Sequence, residues 1–166
     1  MARRRKKDPA SLLRYAVHDG NLEEVKRRLA AGADPSEFDA DGQTALTICG
    51  RRDNAEIARV LLEAGADVDA RGSDHAVTPL CLAAVRDDIE LANLLLDAGA
   101  DINVNCANTT PLASATTSGK VRMMQFLLEH GASLRDARGR GMETFIKDFT
   151  KNREEVERLL DEYRTE

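Results

Sequence analysis

A chain of 166 residues with 42% hydrophobic content can fill the core of one compact domain or one short array. Only 4% is aromatic and tryptophan is absent, so alanine and leucine carry the packing, and no run approaches the roughly 20 apolar residues of a membrane span. The formal net charge is −5.

Residues 1–10 read as a basic disordered tail. Arg3-Arg4-Arg5-Lys6-Lys7 has no apolar stretch behind it, so the start does not read as a secretory signal. Two readings of the run stand side by side: a solvated, solubilising start, or a tail for nucleic acid, anionic lipid or an import receptor. No aromatic residue interleaves with the cations, so base stacking is not indicated. Without these five cations, 19 bases face 29 acids, a net −10 that repels a phosphate backbone.

From residue 11 the chain repeats itself. LAAGAD at 29–34, LLEAGAD at 61–67, LLDAGAD at 95–101 and LLEHGAS at 127–133 place glycines at 32, 65, 99 and 131. The steps are 33, 34 and 32 residues, a period that predicts stacked supersecondary units. About 12 residues after a glycine comes Thr44-Ala45-Leu46, then Thr78-Pro79-Leu80 and Thr110-Pro111-Leu112, with a faded copy at Glu143-Thr144-Phe145. Threonine caps a helix, proline suits its first turn, and the leucine opens a buried face. Fifteen residues after positions 46, 80, 112 and 145 stand Leu61, Leu95, Leu127 and Leu160, predicted to be buried in a second helix. Ile57, Leu61 and Leu62, and likewise Leu91, Leu95 and Leu96, share one helical face. The glycine that follows fits a left-handed C-terminal cap, and turn-rich stretches such as DPSEFDADGQ lead to the next helix as extended fingers. The aspartates at 34, 67 and 101 read as turn-forming residues rather than as a ligand cluster.

This unit of turn, helix, loop and helix resembles the ankyrin repeat, with TPL at 78–80 and 110–112, TAL at 44–46, and GAD at 32–34, 65–67 and 99–101. The resemblance implies an all-α solenoid of stacked helix-turn-helix units with β-hairpin-like fingers. It divides the chain into an N-terminal cap at 11–34, full repeats at 35–67, 68–101 and 102–134, and a C-terminal cap at 135–162. A short tail at 163–166 follows. Terminal units are atypical because one side faces water. The family's usual Gly-His between the two helices is replaced by Gly20-Asn21, Asp53-Asn54, Asp87-Asp88, Gly119-Lys120 and Asn152-Arg153. Asp and Asn tolerate the left-handed backbone better than other non-glycine residues. The finger at 69–77 runs one residue long, and Asn108 replaces a glycine of the next.

In this family partners contact the concave side, so the resemblance implies a groove lined by Arg51, Arg52, Val85, Arg86, Thr117, Ser118 and Lys151 from the first helices. From the fingers it adds Ala40, Asp41, Gln43, Asp74, His75, Val77, Cys106, Ala107, Thr109, Arg138 and Arg140. The helix set contains four cations and no anion, whereas loop and convex positions are acidic at Asp53, Glu56, Glu63, Asp87, Asp88, Glu90 and Asp97. Either a locally basic groove takes a partner with an acidic surface, or the arginines only solvate helix ends.

Three cysteines, an odd count with no CxxC pair, argue for a reducing compartment and against a disulfide framework. A cytoplasmic chain is expected, with the nucleus as an alternative if the source is eukaryotic. Cys49 reads as a core residue, Cys81 stands in a first helix where the family usually has His, and Cys106 lies on a finger. His18, His75 and His130 fall in different units without zinc spacing, and no nucleophile elbow, Walker loop or dinucleotide fingerprint occurs. The expectation is a non-enzymatic module, a monomer when free, with no cofactor, no metal and no membrane partner. It binds another protein as inhibitor or adaptor. Two alternatives are a bacterial immunity protein that neutralises a cognate toxin, by analogy of fold, and a nucleic-acid- or nucleus-associated factor acting through the tail.

Overall fold

The computed structural model describes residues 9–38, 42–50, 54–72, 77–107, 109–135, 138–146 and 152–164. Among them helices follow in pairs: α1 (Pro9–His18) with α2 (Leu22–Ala30), α3 (Ala45–Cys49) with α4 (Ala55–Glu63), and α5 (Pro79–Arg86) with α6 (Ile89–Asp97). The series continues with α7 (Pro111–Thr117) and α8 (Val121–Glu129), then α9 (Glu143–Ile146) and α10 (Arg153–Arg164). First helices stack on one another from α1 through α3, α5 and α7 to α9; α4 packs between α2 and α6, and α10 against α8. One core runs between the two layers. Leu61, Leu95, Leu127 and Leu160 are all fully buried in it, as the fifteen-residue spacing predicts.

The caps explain why the helices start and stop where they do. Thr44 Oγ1 accepts the Thr47 N–H at 3.2 Å, while Thr47 Oγ1 accepts the Thr44 N–H at 3.0 Å, a reciprocal box. Thr78 and Thr110 accept the amides of Cys81 and Ala113, each with proline in the first turn. At the other end Gly32, Gly65, Gly99 and Gly131 all have φ between 85° and 91°. This lets the next amide reach back to the helix, as when the Ala100 N–H donates to Leu95 O at 2.9 Å. Between paired helices the left-handed position is filled by Gly20 and Gly119, and by Asp87 at φ 65° and Asn152 at φ 62°. The non-glycine loops therefore hold the backbone geometry at a modest local cost.

The fingers are slighter than hairpins. Among the described residues they close through single antiparallel bridges, Cys106 to Thr109 and Arg135 to Gly141, and through the Gly72 N–H donating to Val77 O. At their base runs a polar seam. Asp34, Asp67 and Asp101 each accept the amide two residues on, at Ser36, Asp69 and Asn103, which bears out the turn-forming reading. Those second residues then reach across to the next unit. The Asp67 N–H donates to Ser36 Oγ (2.9 Å), the Asp101 N–H to Asp69 Oδ2 (3.1 Å) and the Ser133 N–H to Asn103 Oδ1 (2.8 Å).

Gly50, the C-cap of α3, lies against α5 with no room for a side chain. A Cβ there would lie 2.9 Å from Leu82 Cβ and 3.2 Å from Pro79 O. Gly50→Ala is expected to lower stability by about 1–3 kcal/mol through overpacking, read as a shift of the urea midpoint. An unchanged midpoint would show that the two helices can part without cost.

One sequence expectation is corrected. Cys81 and Cys106 form a disulfide with Cα atoms 6.7 Å apart, across a separation of 25 residues. Linear spacing carried no hint of it, because the finger between α6 and α7 folds Cys106 back over the first turn of α5. Only Cys49 is left as a free thiol, so the odd count no longer argues for a reducing compartment.

Candidate partner groove

The groove predicted from the sequence is built from the last turns of the first helices. The first helices differ at their ends: α3 and α9 close on the buried residues Cys49 and Ile146, whereas α5 and α7 close on exposed ones. In α5, Ala83 and Ala84 are fully buried, whereas the next two residues are exposed, Val85 to 45% and Arg86 beside it. In α7, Ala115 and Thr116 are buried; Thr117 is exposed and Ser118 half-buried at the cap. The Thr117 hydroxyl is shared between the carbonyls of Ala113 and Ser114, which ties it to its own helix. Arg51, Arg52, Asp41, Asp74, His75 and Lys151 lie outside the described residues.

On the finger side Gln43, Val77 and Thr109 are half-buried. Val77 packs against Cys81, Val104 and Cys106, a small cluster separate from the main core. Thr109 exchanges both backbone hydrogen bonds with Cys106, at 2.8 and 2.9 Å. Val77 and Thr109 thus support the finger. Arg138 and Arg140 are exposed on the last finger, and the Arg140 guanidinium lies 5.0 Å from the centre of the Phe145 ring.

Among the described residues of α4 and α6, Glu56, Glu63, Glu90 and Asp97 are exposed together with the one cation Arg59, while α2 and α8 expose Lys26, Arg27 and Arg122. Asp88 has a local duty, since it accepts the Leu91 N–H at 3.0 Å and caps α6.

Sequence reasoning missed two exposed aromatics, Tyr15 (53%) and Phe38 (51%). Tyr15 stands off the buried face formed by Leu13, Ala16 and Val17 of α1. Its register partner in α5 is Leu82, which meets Gly50 of the preceding unit. Phe38 sits on the first finger. Its neighbour Glu37 is tied to α1 by a guanidinium N–H of Arg14, which donates to Glu37 O at 3.4 Å. A readable signal was present: in a chain with six aromatic side chains, one placed in a turn-rich finger is seldom needed for the core.

The cysteines differ in chemistry. Burial pushes the Cys49 thiol up to about 12, so it stays protonated and unreactive at neutral pH. Cys81 and Cys106 are spent in their bond. Among the described residues no group of three or more His, Cys, Asp or Glu is placed to hold a metal, and no helix is long and apolar enough to cross a membrane.

Comparison with known proteins agrees with this architecture. Protein PhlB of Serratia liquefaciens is 34% identical over 73 residues, a segment covering 44% of this chain and 32% of PhlB, so the match spans about a third of that relative. A family model described as ankyrin repeats in three copies matches residues 2–72 and again 72–138. With the repeat pattern present in its caps, its stacked helix pairs and its family match alike, the chain belongs to the ankyrin-repeat family.

Proposed function

We propose that this array captures a partner protein in the groove formed by its first-helix ends and fingers, and acts by occupying that partner's surface, as inhibitor or adaptor. The ankyrin fold is generally a non-enzymatic interaction module, and the mechanism proposed is steric, without turnover. The observation that carries the reading is the exposed Val85-Arg86 pair in the middle of the stack. An apolar side chain beside a guanidinium, held on a short capped helix and unused by the core, has the composition of an interface anchor. At the first-helix positions assigned to the groove, Arg51, Arg52, Arg86 and Lys151 are cations and none is an acid, which favours a partner that presents carboxylates. The division into two caps and three full repeats is the frame for this proposal, with the groove spanning the full repeats.

Affinity capture on the immobilised full chain, with quantitative mass spectrometry, tests it. The double variant Arg52→Glu/Arg86→Glu is expected to weaken retention of the captured protein at least about 30-fold, the scale of a hot-spot loss of 2 kcal/mol or more. A convex-face control, Glu90→Lys, should retain it as the parent does. Equal retention by the groove variant would overturn the reading.

A further inference from the structure

Cys81 lies in the first turn of α5, the helix that ends in Val85 and Arg86, and Cys106 lies on the finger that carries Thr109. Their bond therefore joins two walls of the groove. Both residues are 1% exposed, yet they do not belong to the main core; Val104 and Val77 are the apolar residues packed with them. The finger's other ties at this point are light. Thr78 Oγ1 donates to Cys106 Sγ at 3.2 Å, Cys106 and Thr109 exchange backbone bonds, and Ala107 at the turn has φ 51°. A left-handed alanine is strained, and a tip held by a handful of apolar contacts opens readily once its covalent tie is cut.

We propose that the Cys81–Cys106 pair is a thiol–disulfide latch, which holds the third finger against α5 when oxidised and releases it when reduced. A dithiol reductant supplies the electrons. One of its thiolates attacks a protein sulfur, the S–S bond breaks, and a mixed disulfide forms as the other cysteine leaves as a thiolate and takes up a proton. The reductant's second thiolate then closes on the first, so the protein ends with two thiols and the reagent as a cyclic disulfide. Glutathione disulfide reverses the change, two cysteine thiols giving one protein disulfide and two molecules of glutathione. Because the sulfurs are buried, exchange requires the finger to lift first. Cys49 is fully buried in α3 and stays protonated, so the exchange remains within the pair. Any consequence for partner capture rests on the groove reading above; the latch does not.

Peptide mapping without reductant, followed by hydrogen exchange on the full chain, tests the latch. The map is expected to show Cys81 joined to Cys106 and Cys49 free. On reduction with dithiothreitol, the Cys106 and Thr109 amides should lose nearly all their protection, at least about tenfold, while amides of α1 to α4 fall only by the drop in global stability and stay protected. Glutathione disulfide should restore it, and Cys81→Ser/Cys106→Ser should match the reduced chain under both conditions. Unchanged finger protection, a bond involving Cys49, or finger amides that exchange no faster than those of α1 to α4 after reduction would each overturn the latch. The readout uses no partner, so its failure leaves the groove proposal standing, and failed capture by the groove variants leaves the latch standing.

Discussion

Leu95→Ala is expected to cost about 2–5 kcal/mol and to lower the melting temperature on the order of 10 °C. Leu95 is fully buried on α6, which packs beside α5 and against α4. Removing its isobutyl group forfeits the transfer free energy of the lost carbons and leaves a cavity that two stacked layers cannot easily collapse around. Stacked repeats are stabilised chiefly through contacts with their neighbours, so a defect in a central unit weakens the interface on both of its sides. Urea unfolding gives the measurement, with Leu94→Ala as comparison, since Leu94 lies on the same helix but is only half-buried. The expectation fails if the two truncations cost the same.

Removing the disulfide comes next in size. The bond closes a loop of 25 residues, for which the chain-entropy argument gives about 3 kcal/mol of restraint on the unfolded chain. Cys81→Ser/Cys106→Ser is therefore expected to lower the free energy of unfolding by about 3 kcal/mol, while the circular-dichroism spectrum of the folded chain stays helical. A double variant as stable as its parent would show that the bond restrains little in the unfolded ensemble. The reduced parent should match the variant, because both lack the same loop closure.

The parts of the fold legible in the sequence are those governed by local chemistry repeated in register. Thr44, Thr78 and Thr110 cap helices in the structure as their sequence positions predict, and the four repeat glycines take the left-handed backbone. Leucines at a fixed offset reach the core because helix period and loop length are both conserved from copy to copy. What escaped was set by contacts between copies. The Cys81–Cys106 bond depends on how far one finger folds back, and a cysteine count cannot report that. Tyr15 holds the register position at which Leu82 of α5 meets Gly50, and how such a position is covered is set between units rather than within one. The groove itself is the least legible part. Val85, Arg86, Thr117 and Ser118 are residues at which the copies disagree, and periodicity is silent about differences.

The polar seam at the base of the fingers has a direction. Each unit offers a side-chain oxygen forward and a backbone N–H backward, and the acceptor is in turn a hydroxyl, a carboxylate and an amide. Such a joint tolerates drift, since any small oxygen-bearing side chain satisfies it. It also makes the unit interchangeable: a duplicated copy inserted between two others would meet an acceptor on one side and a donor on the other. At the fourth position of this series stands Arg135, whose side chain can only donate, and its Nη1 turns to Gly139 O at 2.8 Å within its own finger. The grammar that lets units be added is thus broken at one residue, and an oxygen-bearing side chain restored there would supply the joint for one more.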